Sequence, residues 1–352
     1  MSLDTRLQRL WYGPAWRSLP LWPLSWLFRA VVATRAWAFR VGLLRPVAVG
    51  VPVVVVGNVT VGGTGKTPVA GWLVRQLALR GHRVGMVLRG YGAEHRGDPR
   101  VVELSDNATV VGDEALLHAR RGAHVVVIGA DRVAAARLAQ LRGADVIVAD
   151  DGLQHLRLAR DYELAVVDGA RGLGNRRMLP AGPLREPEAR LETTQAIVVT
   201  QRDAGKTQPE PVTVRLRNPL QLAARFTLGD AVNLVSGERR ALAAFAGLRD
   251  LHAIAGIGHP EAFFTALRTH GLGFVPHALA DHVALDPAAL PFPRGASVLM
   301  TEKDAVKCAG FRQPEWWWVE LDVTFDRADA QMLLSSILER TGLAGAGVTP
   351  GG

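Results

Sequence analysis

Residues 51–81 read VPVVVVGNVTVGGTGKTPVAGWLVRQLALRG, and the order of their patterns decides the fold. The run 51–57 is almost entirely valine and of strand length, the pattern of a strand buried on both faces. The glycine-rich GGTGKT follows at 62–67, and VAGWLVRQLALRG at 69–81 repeats its apolar positions at helical spacing. Strand, glycine loop and helix in that order turn free backbone N–H groups and a helix N-terminus toward one anion. Lys66 is then placed to reach the β and γ phosphates of a nucleotide, and Thr67 to ligate Mg²⁺. Thr60, Val61, Gly62, Gly63, Thr64, Gly65, Lys66 and Thr67 form the predicted cradle. The usual loop begins with Gly five positions before Gly65, where this chain has Thr60. Gly62 and Gly63 are expected to supply the missing backbone freedom.

Outward from this unit, strand-like runs at 83–88, 124–129, 145–149, 163–167 and 195–200 alternate with helical stretches. The pattern predicts a mainly parallel, P-loop NTPase-like α/β sheet with helices on both faces. VTVRLR, LAARFTL and AVNLVS between 212 and 236 lack helices and read as short antiparallel strands of a connector. A second, smaller α/β unit follows, with LHAIAGIG at 251–258, a helix opening at Pro260, SVLM at 297–300 and WWWVELDV at 316–323. The expected boundaries are an N-terminal segment 1–47, a nucleotide-binding domain 48–211, the connector 212–236, a second domain 237–345 and a disordered tail 346–352. The 352 residues are ample for two domains at about 150 residues each.

DVIVADD at 145–151 is a second buried strand ending in paired carboxylates, the chemistry of a Walker B element. Asp150 and Asp151 are therefore the metal candidates beside Thr67, although a pair of acids there could instead cap the next helix. Gln154 and His155 follow at the carboxyl end of that strand, where open α/β sheets bind ligands. LRGYG at 88–92 brings Arg89 and Tyr91, and VGDE at 111–114 brings Asp113 and Glu114; Asp113 also suits a plain helix cap. RRMLPAGPLRE at 176–186 offers Arg176, Arg177 and Arg185 as a clamp for an anionic substrate. The chain has thirty-seven Arg and only four Lys, namely Lys66, Lys206, Lys303 and Lys307, so each remaining Lys is a candidate for a place where a compact ammonium serves better than a guanidinium, and Lys66 fits that argument well. Lys303 and Lys307 in TEKDAVK are either part of the site or a solvated i,i+4 face with Thr301 as N-cap.

Composition excludes other classes. A hydrophobic share of 48% and a charged share of 21% describe a chain that buries a core, not a disordered one. One cysteine, Cys308, rules out an internal disulfide framework and a Cys-based metal cluster. The net charge of +8 is concentrated, since residues 1–50 hold seven Arg against one Asp; no nucleic-acid partner is expected, and no obligate protein partner is evident. Residues 1–50 also hold five of the nine Trp, Trp11, Trp16, Trp22, Trp26 and Trp37. Pro20, Pro23, Arg29, Arg35 and Arg40 argue against spanning, and the spread of Arg argues against a cleaved signal. The segment reads as an interfacial helix on an anionic membrane surface, or else as a helix packed on the body with Arg snorkelling outward.

GNVTVGGTGKTP at 57–68, LRGYG, VGDE, ADDGLQH, LPAGPLRE, GIGHPEAFF, the DH pair at 281–282 and TEKDAVK together resemble the tetraacyldisaccharide 4'-kinase family, the lipid A 4'-kinases. The resemblance implies transfer of the ATP γ-phosphate, with Mg²⁺, to the 4'-hydroxyl of a tetraacylated glucosamine disaccharide 1-phosphate. It places the enzyme peripherally or monotopically at the cytoplasmic face of a bacterial inner membrane. It makes Asp113 the base on the sugar hydroxyl and His282 its assistant, with Lys66 the third catalytic residue. Arg89, Tyr91, Glu114, Gln154, His155 and Arg185 fall to the substrate. Leu153 stands where an aromatic is expected in much of the family, a departure affecting packing. The alternative is a membrane-recruited partitioning-type P-loop ATPase, which needs a Lys two residues before Gly63, where Val61 stands. A metallochaperone-type GTPase lacks its NKxD motif and clustered Cys or His ligands here.

Overall fold

The structure is a computed structural model and describes residues 7, 9–202, 220–258, 260–279, 292–293, 295–308, 311 and 313–343. Its strands are β1 (Val53–Gly57), β2 (Val84–Leu88), β3 (Arg100–Val101), β4 (Val125–Ile128), β5 (Val146–Asp150), β6 (Tyr162–Asp168), β7 (Ala196–Arg202), β8 (Leu220–Asn233), β9 (Arg239–Arg240), β10 (Leu251–Ala255), β11 (Val275–Ala278), β12 (Ser297–Thr301) and β13 (Trp316–Phe325). The principal helices are α1 (Trp22–Arg40), α2 (Lys66–Ala78), α3 (Asp113–Arg120), α4 (Arg132–Leu141), α5 (Pro260–Thr269), the single turn α6 (Glu302–Ala305) and α7 (Arg327–Thr341). All strands join one sheet in the order β11-β10-β12-β13-β8-β7-β6-β1-β5-β2-β4-β3, with β9 added to β8.

The valine run works as the sequence demands. Val54 and Val56 enter a core shared with α2 and α7, while Val53 and Val55 enter a second core on the other face, against α4 and partly against Phe28 and Val32 of α1. A strand with no wet side needs apolar residues at every position. Leu153 is fully buried and packs over Gly57, where an added Cβ would lie 2.8 Å from Leu153 Cγ. Here the aliphatic residue and the bare strand end fit each other. In the second half, Leu251, Ala253, Phe264, Leu267 and Leu299 build a smaller core.

The connector differs from expectation. Residues 220–233 form a single strand of 14 residues, parallel to β7 through Ala196↔Leu220 to Arg202↔Phe226 and antiparallel to β13 from Phe325↔Ala224 to Trp317↔Asn233. Between Val319↔Ala231 and Leu321↔Leu228 the register shifts, so that Gly229 and Asp230 of β8 oppose the single residue Glu320 of β13, a bulge that keeps the strand extended. Part of the segment expected as connector, and the tail 346–352, lie outside the described residues.

β1 pairs with β5 on one side and β6 on the other, all parallel, with Val56 opposite Asp150. Strand order reverses at this point, and the crevice beyond the carboxyl ends of β1 and β5 is where such a sheet accepts a ligand.

Candidate active site

β1 ends at Gly57, and the chain leaves it into the glycine loop. The first part of that loop is fastened to residues 183–185: Val61 N donates to Pro183 O at 2.8 Å, Arg185 N donates to Val59 O at 2.7 Å, and Thr60 bridges Leu184. Thr60 and Val61 therefore shape the loop, and the Val61 N–H is already engaged. The positive φ values fall at Gly62 (108°) and Gly65 (85°), not at Gly63. Gly65 is also the N-cap of α2 and offers no side chain to bond the first helical N–H groups, which leaves them for an anion. A Cβ at Gly65 would lie 2.2 Å from Phe226 Cζ, so a β8 ring lies against the loop. Lys66 opens the helix and is half-buried rather than an exposed loop group.

Three acids gather around this lysine. Asp150 ends β5, and its Oδ2 meets His118 Nε2 at 3.2 Å, both side chains 1% exposed. Burial pushes the Asp150 carboxyl up, but the hydrogen bond and charge of His118, then Lys66 and the Thr67 hydroxyl, outweigh it and hold the group below the usual carboxylate range. Its Oδ1 is buried and makes no hydrogen bond among the described residues. Asp151 has φ 53° and receives Arg185 Nη1 on both oxygens, at 3.0 and 3.1 Å. Burial and Asp150 raise the Glu114 pKa against the pull of Lys66, Lys303 and His118. Burial opposes the Lys66 ammonium, yet Asp151, Asp150 and Glu114 together raise its pKa, so it stays charged.

An orphaned, ionised carboxylate oxygen at Asp150, the Thr67 hydroxyl and the charge of Asp151 form a hard oxygen-donor set that fits Mg²⁺. No group of three or more His, Cys, Asp or Glu among the described residues is placed to hold a metal ion. His118 is the residue missed by sequence reasoning. It lies four positions after Glu114 on α3, on the same helix face, and that spacing from VGDE was the available signal.

The substrate-side candidates divide. Arg89 and Tyr91 are exposed beyond β2, Tyr91 at 73%. His155 sits among cations, and burial followed by Arg132, Arg89, Arg35 and Arg160 pushes its pKa down to about 4. Gln154 braces the floor, its Nε2 donating to Asn58 O at 3.0 Å and Glu186 Oε2 at 2.8 Å. The expected three-Arg clamp does not form. Arg176 pairs with Glu188 at 3.4 Å, Arg177 lies 3.7 Å over the Trp22 ring, and only Arg185 reaches the acids.

The second half closes the other wall. Asp113 is the first residue of α3, whose N-cap is Gly112 at φ 90°, so Asp113 is not the cap; its charge there favours the helix dipole. Lys307 Nζ lies 3.9 Å from Asp113 Oδ2 and 3.3 Å from Asp304 Oδ1, with side-chain exposures of 7% for Lys307 and 11% for Asp113. Thr301 does cap α6, accepting from Asp304 N at 3.2 Å, but the turn is no solvated face, because Glu302 and Asp304 are buried. Arg121 clamps Glu302 through Nε to Oε1 at 3.1 Å and Nη2 to Oε2, and Nη2 also donates to Leu321 O at 3.0 Å. His282 lies outside the described residues. Between the walls is a cavity of about 450 Å³ lined by Gly62–Thr67, Glu114, Phe226, Ile257, Phe263 and Lys303.

A glycine cradle, a charged lysine and buried acids at the mouth of a mainly parallel sheet define a P-loop nucleotide-binding protein. A model of the family described as Tetraacyldisaccharide-1-P 4'-kinase matches residues 17–339. The tetraacyldisaccharide 4'-kinase of Thiobacillus denitrificans is 47% identical over 324 residues, covering 90% of this chain and 94% of that protein. That of Pseudomonas fluorescens Pf0-1 is 44% identical over 327 residues, covering 92% and 93%. The crystal structure of the "apo" form of LpxK from Aquifex aeolicus in complex with ATP is similar with a TM-score of 0.78 at 26% identity, over 92% of this chain and 99% of that one. The chain belongs to the tetraacyldisaccharide 4'-kinase family.

Proposed function

We propose that this ATP-dependent kinase phosphorylates the 4'-hydroxyl of a tetraacylated glucosamine disaccharide 1-phosphate in the crevice beyond β1 and β5. Lys66 and the N–H groups opening α2 hold the triphosphate; Thr67, Asp150 and Asp151 would hold Mg²⁺, which would supply charge neutralisation on the transferring phosphoryl group. Asp113 takes the hydroxyl proton. The hydroxyl oxygen bonds to the γ-phosphorus as the bond from that phosphorus to the β,γ-bridging oxygen breaks, and ADP departs. Arg89, Tyr91, His155 and Arg185 present cationic and polar groups to the anionic sugar, while Gln154 braces and Glu114 balances the lysines. His282 is assigned its assisting role from the family motif alone. The observation that carries this reading is the convergence of Lys66, Glu114, Asp150 and Asp151, with Asp113 next to Glu114 at the start of α3 and 3.9 Å from Lys307.

Residues 1–47 are read as the membrane-associating unit, 48–211 as the nucleotide-binding domain and 237–345 as the second. No described helix is long and apolar enough to cross a membrane. α1 and the turn before it nonetheless expose Trp16 (66%), Trp26 (68%) and Trp37 (52%) with Leu24, Leu27 and Val31, beside exposed Arg29, Arg35 and Arg40. Trp11 packs inward, its Nε1 donating to Pro180 O at 2.9 Å. This division supports a helix seated on the body that offers its outer face to an anionic bilayer; the cytoplasmic side of the inner membrane is assigned from the family resemblance alone.

The test is Asp113→Ala, assayed for kcat, ATP affinity and thermal melting. The base role predicts a kcat loss of at least about 10²-fold with ATP affinity within about threefold and an unchanged fold. Loss of ATP binding with kcat preserved would overturn it.

A further inference from the structure

We propose that Lys303, carried by the second half of the chain, is a second phosphate-binding cation that contacts the γ-phosphate of ATP from across the cavity, opposite Lys66. The inference rests on the reading of Gly62–Thr67 as the triphosphate cradle. Lys303 lies on the single turn α6 immediately after β12, and both of its neighbours are anchored. On one side Glu302 is clamped by Arg121 of the chain following α3. On the other, Asp304 is fully buried, accepting from Thr301 Oγ1 at 2.6 Å and from Gly256 N at 2.9 Å. With the backbone fixed on both sides, the four-carbon stem of Lys303 is delivered along a wall of the cavity that Gly62, Gly63, Thr64, Gly65, Lys66 and Thr67 also line.

The charge environment points the same way. Lys66 and Lys303 both act on the one carboxyl of Glu114, and all three line the same cavity. A γ-phosphate entering between them meets positive charge from both walls, as transfer through a charge-dispersed transition state requires. The residue type fits as well. Arg supplies nearly every cation in the chain, thirty-seven against four Lys, yet two lysines are retained at this cavity, where a compact ammonium reaches a phosphate that a planar guanidinium would crowd. Because Lys303 comes from the other half, catalysis depends on α6 staying docked on α3, which the Arg121–Glu302 pair secures.

The experiment compares Mg²⁺–ATP and Mg²⁺–ADP binding by calorimetry with steady-state kinetics for Lys303→Met, Lys303→Arg and Lys66→Ala in the full chain. Lys303→Met is expected to weaken ATP about tenfold, leave ADP within about twofold, and lower kcat by roughly 10²–10³-fold without changing the melting temperature. Lys303→Arg keeps the charge and is expected to keep the preference for ATP while losing part of kcat; should Lys303→Met not fold, loss of that preference in Lys303→Arg overturns the proposal. Equal weakening of ATP and ADP, or no change in either, also overturns it. So does recovery of kcat in Glu114→Gln/Lys303→Met to that of Glu114→Gln alone, because Lys303 is then only a counter-charge. Lys66→Ala is expected to weaken both nucleotides; if it weakens neither, the cradle reading fails, a result distinct from failure at Lys303.

Discussion

Replacing Arg121 by Met keeps an unbranched apolar stem but removes the guanidinium, leaving Glu302 without this partner in a site where the two side chains are 9% and 8% exposed. Breaking one side of a buried pair costs about 3–5 kcal/mol, because the surviving charge has lost water and partner together. The lost bond to Leu321 O adds about 1 kcal/mol. In a chain of this size 1 kcal/mol moves Tm by roughly 2 °C, so the melting temperature should fall by about 8–12 °C. Replacing both residues, Arg121→Met with Glu302→Leu, removes the stranded charge and should recover most of the loss, giving a coupling of at least about 2 kcal/mol in the cycle. Urea unfolding at fixed pH measures all four corners. Additive losses in the double variant, or a single Arg121→Met loss below about 1 kcal/mol, would show that the pair does not join the helix turn to the rest of the site.

Asp150→Asn removes the charge that Lys66 and His118 hold ionised, so the Mg²⁺ concentration for half-maximal activity should rise at least about tenfold; a titration with the wild-type midpoint would refute the metal assignment. His155 titrates near 4 when folded and near 6.5 when unfolded, so the unfolded chain binds more protons between these values and stability from this group is lost as pH falls through that window. Tm measured from pH 6.5 to 4 should therefore drop less steeply in His155→Gln, and parallel curves would sink the argument. Replacing Arg29, Arg35 and Arg40 together by Gln should weaken binding to anionic vesicles by roughly 3 kcal/mol at low salt, about two orders of magnitude. Binding equal to wild type would mean that α1 does not read lipid charge.

The parts legible in sequence were those governed by local pattern. The valine run, the glycine loop and DVIVADD carry their own periodicity, and each formed the predicted element with Lys66 and Asp150 at the same crevice. What failed depended on partners. Residues 220–233 alternate like strand but do not announce that two different neighbours hold their edges, so LAARFTL and AVNLVS look like separate strands in sequence although one strand carries both through Asn233. Arg176, Arg177 and Arg185 are equivalent in sequence, and only packing against Trp22 and Glu188 takes two of them away from the acids. His118 had a readable spacing from Glu114, but nothing local tells that β5 brings Asp150 to it. The Trp-rich segment was divided by tertiary contact, Trp11 inward and Trp16, Trp26 and Trp37 outward.

Strand β8 has one further consequence, for any attempt to divide the polypeptide. Its first residues complete the edge of β7 and its later ones the edge of β13, so each half of the protein shields the other's row of backbone donors and acceptors. A cut placed before Leu220 would leave β7 as an open edge flanked by valine and isoleucine, and a cut after Asn233 would do the same to the tryptophan-rich β13. Exposed, flat, apolar edges recruit further copies of themselves. Fragments made at either point should therefore accumulate as insoluble material when produced alone and become soluble when the two pieces are made together in one cell.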